Sequence, residues 1–168
     1  TGGLAAILKK HYPGAVFLHP AALACKYARR ERRPYPAIGI PENCLAALGA
    51  LRGALVETRS ATEVAAGVWC TGEIPRLLNG AAAPEGFFLD ADGRQADPLA
   101  DDQALFIATT RGLVVIAGCA HSGLGNTLSH IHKLTGRKDV YALLGGLHLG
   151  GASPEQLEEA GNIIDQHN

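Results

Sequence analysis

The residues best placed to do chemistry are two histidines. His121 lies in Gly118-Cys119-Ala120-His121-Ser122-Gly123, and His148 in Gly145-Gly146-Leu147-His148-Leu149-Gly150-Gly151. Each follows a short apolar run by a few residues and precedes a helical pattern. In open α/β sheets, sites form outside the carboxyl ends of strands. Adjacent parallel strands would therefore bring both imidazoles to one sheet edge. An imidazole there can ligate a metal, transfer a proton or bind an anion. The residue pattern alone leaves these roles open, together with that of an ordinary polar loop residue. The glycines allow backbone to approach a ligand closely, and helix N-termini behind both loops favour negative charge.

Other groups are weaker candidates. Cys119, two residues before His121, is either a soft metal ligand or a thiol buried beneath the loop. His19, followed by Pro20, ends a strand and can line the same rim. In Thr71-Gly72-Glu73-Ile74-Pro75-Arg76, Glu73 and Arg76 stand three apart. Arg76 suits bidentate contact with a phosphate or carboxylate, and a structural ion pair suits it equally. Asp101-Asp102 precedes a strand and can bind metal or cap a loop, capping being the expected role. Asn126, in the first turn after the His121 loop, reads as its polar support. Asp102, Asn126, Arg76, Glu73 and His19 are thus the candidates for substrate contact. His130-Ile131-His132 has the spacing of a metal pair on a strand, but it falls within a helical stripe, where residues two apart diverge. Both histidines are expected on a solvated helix surface.

The elements that must position these groups follow from periodicity. Residues 2–11 carry Leu4, Ile7 and Leu8 at helical spacing, with Pro13-Gly14 as a stop. Residues 15–18 read as a buried strand, 21–28 as one or two helical turns, and 29–41 as loop. A short helix is expected over 42–51, with Leu45, Leu48 and Leu51 as its apolar face. Strands are expected over 54–58 and 63–70, a loop over 72–84, and a short strand over 87–89. Residues 104–109 and 113–117 form a hairpin around Thr110-Arg111-Gly112. Leu124, Leu128, Ile131 and Leu134 then mark a helix closed by Gly136. A strand follows over 140–144, and a helix begins at Ser153-Pro154, with Ser153 as N-cap. Strand, helix, strand, helix implies parallel pairing and a right-handed crossover. The fold class is α/β with mixed sheets and helices on the sheet faces.

Composition bounds the function. The apolar fraction is 47% and the charged fraction 18%, enough for a core and too little charge for a disordered tail. A net charge of -1 gives no global attraction to nucleic acid or an anionic membrane. Lys26, Arg29, Arg30, Arg32 and Arg33 form one basic cluster, read as a solvated surface segment or, second, as a site for an anionic group. No apolar run reaches the roughly 18 residues of a membrane span. The partner class is a small-molecule substrate, with neither nucleic acid nor membrane indicated. Cys25, Cys44, Cys70 and Cys119 form no C-x-x-C pair and read as reduced thiols in a cytoplasmic protein, the first three buried. Methionine is absent throughout, and the last residues stop within a helical pattern, so both ends are expected to be cuts.

Several segments together, in order, resemble one branch of the metallo-β-lactamase superfamily. They are Thr1-Gly2-Gly3-Leu4, His19-Pro20, the 71–76 segment, Asp102-Gln103-Ala104-Leu105, the 118–123 segment with Asn126, and Gly145-Gly146-Leu147-His148-Leu149. The branch includes 7,8-dihydropterin-6-methyl-4-(β-D-ribofuranosyl)-aminobenzene-5'-phosphate synthases and many metal-dependent hydrolases. The resemblance implies a single αββα sandwich domain over 1–168, incomplete at both termini. In that branch a His-x-His-x-Asp-His motif precedes Thr-Gly-Gly-Leu, and a His-Cys-Thr-Gly segment follows the last helix; this sequence has neither.

The resemblance also implies a divalent metal cofactor, two zinc ions foremost, with iron or manganese as alternatives. The expected chemistry is a metal-activated water acting on an ester, phosphoester or lactone-like substrate, in a hydrolase or transferase. His121 carries over as a metal ligand, His148 as a ligand or substrate contact, and Arg76 as an anion contact. The chain as it stands is expected to be inactive. Two other readings remain: a metal-free binding or scaffold module of the same fold, and an α/β domain binding a phosphate ligand.

Overall fold

The computed structural model describes residues 3–10, 14–51, 54–78 and 85–167. In chain order the elements are α1 (Leu4–Lys10), β1 (Val16–Leu18), a 3-10 turn (Pro20–Leu23), β2 (Tyr27–Ala28), α2 (Glu42–Gly49), β3 (Leu55–Glu57), β4 (Thr62–Ala65), β5 (Val68–Cys70), β6 (Phe87–Phe88), β7 (Ala104–Thr109), β8 (Gly112–Ala117), α3 (Leu124–Thr135), β9 (Val140–Gly145) and α4 (Pro154–Asp165). The expected stop at Pro13, with His11 before it, and the 79–84 part of the expected loop lie outside the described residues. Among the described residues no helix is long and apolar enough to cross a membrane. The chain divides into two compact units, Thr1–Arg59 with Pro84–Asp101, and Ser60–Ala83 with Asp102–Asn168.

In the first unit β1 pairs in parallel with β3, and β2 pairs antiparallel with β6. Residues expected to make helical turns over 21–28 instead make one 3-10 turn and then extend into β2, because β6 supplies a pairing partner. The buried face of α2 is Cys44 and Leu48, with Leu51 just beyond it; Leu45, expected there, is 36% exposed. Cys25, expected to be buried, is exposed.

Lys26 also departs from expectation. It is buried, and its Nζ donates to Asp97 Oδ2 at 2.6 Å and Asp101 Oδ1 at 2.8 Å. A cation removed from water needs such partners. Burial alone lowers its pKa, but the hydrogen bonds to Asp101 and Asp97 and their two negative charges outweigh this and raise it. The basic cluster is therefore four exposed arginines, Arg29, Arg30, Arg32 and Arg33, beside one structural lysine.

The second unit is a five-stranded sheet in the order β4-β5-β7-β8-β9. Every neighbouring pair is antiparallel except β8 and β9, which are parallel and joined through α3. The 63–70 stretch, read from sequence as one strand, is a hairpin: Gly67, at φ 74°, turns the chain, and its N–H donates to Glu63 Oε1.

Alternation within the strands decides which side chains meet α3. Ala104 and Phe106 of β7 and Leu113 and Val115 of β8 pack against Leu124, Leu128 and Ile131, with Val140, Leu143, Leu147 and Ile163 around them. Burying each large aliphatic side chain of this set stabilises the unit by about 1.5–3 kcal/mol. Leu134, expected on this face, is 40% exposed, because it lies in the last turn, past the edge of the packed stripe. Gly136 ends α3 in the left-handed conformation, at φ 71°. A full capping box, Ser153 with Gln156, starts α4.

Candidate functional site

The site is built where β8 and β9 end. The two strands approach so closely there that a Cβ at Gly145 would lie 1.9 Å from the Ala117 carbonyl oxygen. Gly145 also has φ 121°, outside the range of L side chains, so only glycine fits. One residue on, Gly146 N donates to Gly118 O at 2.8 Å. That bond ties the loop after β9 to the loop after β8.

Two residues in these loops hold left-handed backbone without being glycine: Ala120 at φ 52° and His148 at φ 51°. Each such residue costs about 1–2 kcal/mol and is retained only where its surroundings enforce it. The loops present the His121 and His148 rings to each other, with centroids 4.3 Å apart and planes inclined at 52°. His121 is half-buried and His148 exposed.

The His121 loop is held by side chains distant in sequence. Ser122 N donates to Asp102 Oδ2 at 2.6 Å, and Ser122 O accepts from Asn126 Nδ2 at 2.9 Å. Asn126 is buried, and its Oδ1 accepts from Leu77 N and Leu78 N, each at 2.9 Å. One amide thus joins the start of α3, the His121 loop and the 77–78 backbone. The same helix holds that segment a second time, four residues on. His130 Nε2 lies 3.2 Å from Thr71 O, and Thr71, fully buried, donates its N–H to Ala104 O and accepts from Ala104 N at its Oγ1. His132 Nδ1 lies 3.1 Å from Arg137 O. His130 and His132 are therefore half-buried and bonded to main-chain carbonyls, not solvated as the helical period suggested.

A hollow of about 640 Å³ opens beside the two rings. His121, Ser122, Gly123, His148 and the 149–152 backbone line it, with Gly125, Asn126, Ser129 and His132 of α3 on one side and Gln156, Glu159, Ala160 and Ile163 of α4 on the other. Lys138, Gln166 and His167 also line it. Sequence reasoning missed Ser122, Lys138 and His167, since nothing in a local pattern marks a residue whose partners are remote.

The remaining candidates stand elsewhere. Glu73, Arg76, Asp102 and Cys119 do not line the hollow. Glu73 and Cys119 are exposed and Arg76 is half-buried. His19 belongs to the first unit, where it is buried and its Nδ1 accepts from Ala21 N as the cap of the 3-10 turn.

Comparison with known proteins gives this arrangement a context. No family profile matches the chain. Over 165 residues it is 30% identical to the 7,8-dihydropterin-6-methyl-4-(β-D-ribofuranosyl)-aminobenzene-5'-phosphate synthase of Methanocaldococcus jannaschii, covering 94% of this chain and 55% of that protein. It superposes with a TM-score of 0.73 and 28% identity on the crystal structure of a metal-dependent hydrolase of the β-lactamase superfamily, covering 94% of this chain and 58% of the other. By this likeness the chain has the fold of the metallo-β-lactamase superfamily. It spans about half the length of these relatives.

The metal that the name of this superfamily implies can be tested against the donors present. Two imidazoles lie together, and a divalent-metal centre needs such donors. Among the described residues, however, no group of three or more His, Cys, Asp or Glu side chains could hold an ion. Zinc takes three or four protein ligands. The described donors thus fall short of a complete centre, and no chemical step through a metal follows from them alone. What they do supply is a paired-imidazole rim on hydrogen-bonded loops, beside a hollow large enough for a small molecule.

Proposed function

We propose that this chain contributes His121 and His148 to the divalent-metal site of a hydrolase- or transferase-type enzyme, whose substrate is a small ester, phosphoester or lactone-like molecule. The remaining donors of that site lie outside the described residues, and two zinc ions are its expected complement. The observation that carries the reading is the placement of the two rings, 4.3 Å apart beyond the ends of adjacent parallel strands. The likeness to a metal-dependent hydrolase and to the synthase of a 5'-phosphate compound supports the same class of chemistry.

When bound, a divalent metal supplies Lewis acidity and a water acidified toward neutral pH. The chain's own residues bind and orient. His121 and His148 offer ring-nitrogen donors, the glycine-flanked loops let a ligand approach backbone, and the hollow between α3 and α4 shelters it. The test is elemental analysis of the purified native-length protein beside His121→Ala. Near-stoichiometric zinc, iron or manganese that falls in the variant is the expected result. No metal after reconstitution would remove the reading.

A second reading is a binding module of the same fold that works without metal. It is favoured by the lack of a third donor among the described residues and by the hollow itself. Small-molecule binding that survives complete chelation would select it over the first.

A further inference from the structure

Ser122 is the residue next to His121, and both of its main-chain polar groups are engaged by side chains rather than by other backbone. Asp102 accepts from its N–H at 2.6 Å, and the Asn126 amide donates to its carbonyl at 2.9 Å. Ser122 is only 3% exposed, so water has little access to replace either partner. The two clamps come from opposite sides in sequence: Asp102 precedes β7, and Asn126 opens α3. Asn126 is fixed in turn by two N–H donors from the 77–78 backbone. Its orientation follows from that, because only the amide nitrogen is left to face Ser122.

Local backbone adds a second constraint. Gly123 N donates to Ala120 O, closing a turn over His121 with Ala120 in the left-handed region. The His121 ring thus leaves a turn whose next residue cannot rotate about either neighbouring peptide without breaking one of its two side-chain hydrogen bonds.

We propose that Asp102 and Asn126 are positioning residues. They fix the Ser122 backbone so that the His121 ring stands against His148, and neither contacts substrate. Asp102 is absent from the lining of the hollow, and the polar atoms of Asn126 are already engaged by Ser122, Leu77 and Leu78. The functional consequence rests on the reading that the two rings serve a metal. The geometric part stands without it. Residues that orient ligands from behind typically change metal affinity about 10–100-fold when replaced.

The experiment uses the native-length protein and three variants. Asp102→Ala removes the acceptor. Asp102→Asn keeps an oxygen acceptor and is the rescue. Asn126→Asp keeps the oxygen that receives Leu77 and Leu78 but turns a carboxylate oxygen toward the Ser122 carbonyl, so it opens one arm and leaves the other. Two quantities are read: the NMR contact between the His121 and His148 ring protons together with Ser122 amide exchange, and the affinity for cobalt(II) from its absorption spectrum.

The expected result is loss of the ring contact and faster Ser122 exchange in Asp102→Ala and Asn126→Asp, recovery in Asp102→Asn, and cobalt binding weakened about 10–100-fold in the first two only. A ring contact that persists in both disrupting variants overturns the proposal, as does cobalt affinity equal to wild type. If wild type takes up no cobalt while the ring contact still depends on Asp102, the clamp stands and the metal reading falls. If Asp102→Ala does not fold, the comparison of Asn126→Asp with Asp102→Asn decides on the same two readouts.

Discussion

The loops after β8 and β9 carry one histidine each and meet at the same sheet edge, yet they are built on different principles. The first is fixed by side chains: Asp102 and Asn126 hold Ser122, and Ala120 and Ser122 on either side of His121 are buried. The second is fixed by the absence of side chains. Gly145 and Gly146 lie against the Ala117 and Gly118 backbone, and beyond them His148 stands exposed between Leu147 and Leu149. The first design sets a ring orientation at the cost of remote partners. The second permits close strand approach and leaves its histidine room to adapt. Under the proposed function, a half-buried oriented ring beside an exposed one divides the work of receiving a ligand from solvent.

The comparison can be broken at three points. The largest effect is expected at Gly145→Ala. A methyl group there meets Ala117 backbone on one side and a forbidden φ on the other, so the second unit should lose at least about 3 kcal/mol. Denaturant unfolding measures this, and a loss under about 1 kcal/mol would show that the strand ends are not held as close as described. Next comes Asn126→Ala, which leaves the Ser122 carbonyl and two N–H groups without their side-chain partner; about 2–3 kcal/mol should be lost in the same measurement. A loss no larger than that of an exposed polar substitution would mean that the first loop does not depend on remote side chains. The smallest effect has the opposite sign. His148→Gly relieves the left-handed strain and should stabilise by up to about 1 kcal/mol, seen as a higher melting temperature. Destabilisation there would show that the His148 ring contributes packing that outweighs the strain.

Much of the second unit was legible in the sequence because its signals are local. The hairpin, the β8-α3-β9 crossover, the Gly136 stop and the Ser153 cap all rest on periodicity and end residues within a few positions of one another. The meeting of His121 and His148 followed from one step more, that neighbouring parallel strands end at the same edge. The clamp was not legible. Asn126 reaches Leu77 and Leu78, 49 and 48 residues away, and Lys26 finds Asp97 at a separation of 71, which hid its burial inside what reads as a basic surface run. The period that put His130 and His132 in solvent was right about the helix and silent about the carbonyls of Thr71 and Arg137 that come to meet them. The sequence hides the turn at Gly67, since a single glycine within an apolar, β-branched stretch marks a turn only when the pairing partner is known.

The central claim is that His121 and His148 act as one site. The direct test is a double-substitution cycle on zinc affinity in the native-length protein, with His121→Ala, His148→Ala and the pair together. Two ligands of one ion should each weaken binding by tenfold or more, and the pair should lose much less than the product of the two, a coupling of about 1 kcal/mol or more. Independent, multiplicative losses, or no loss on removing either ring, would contradict the account.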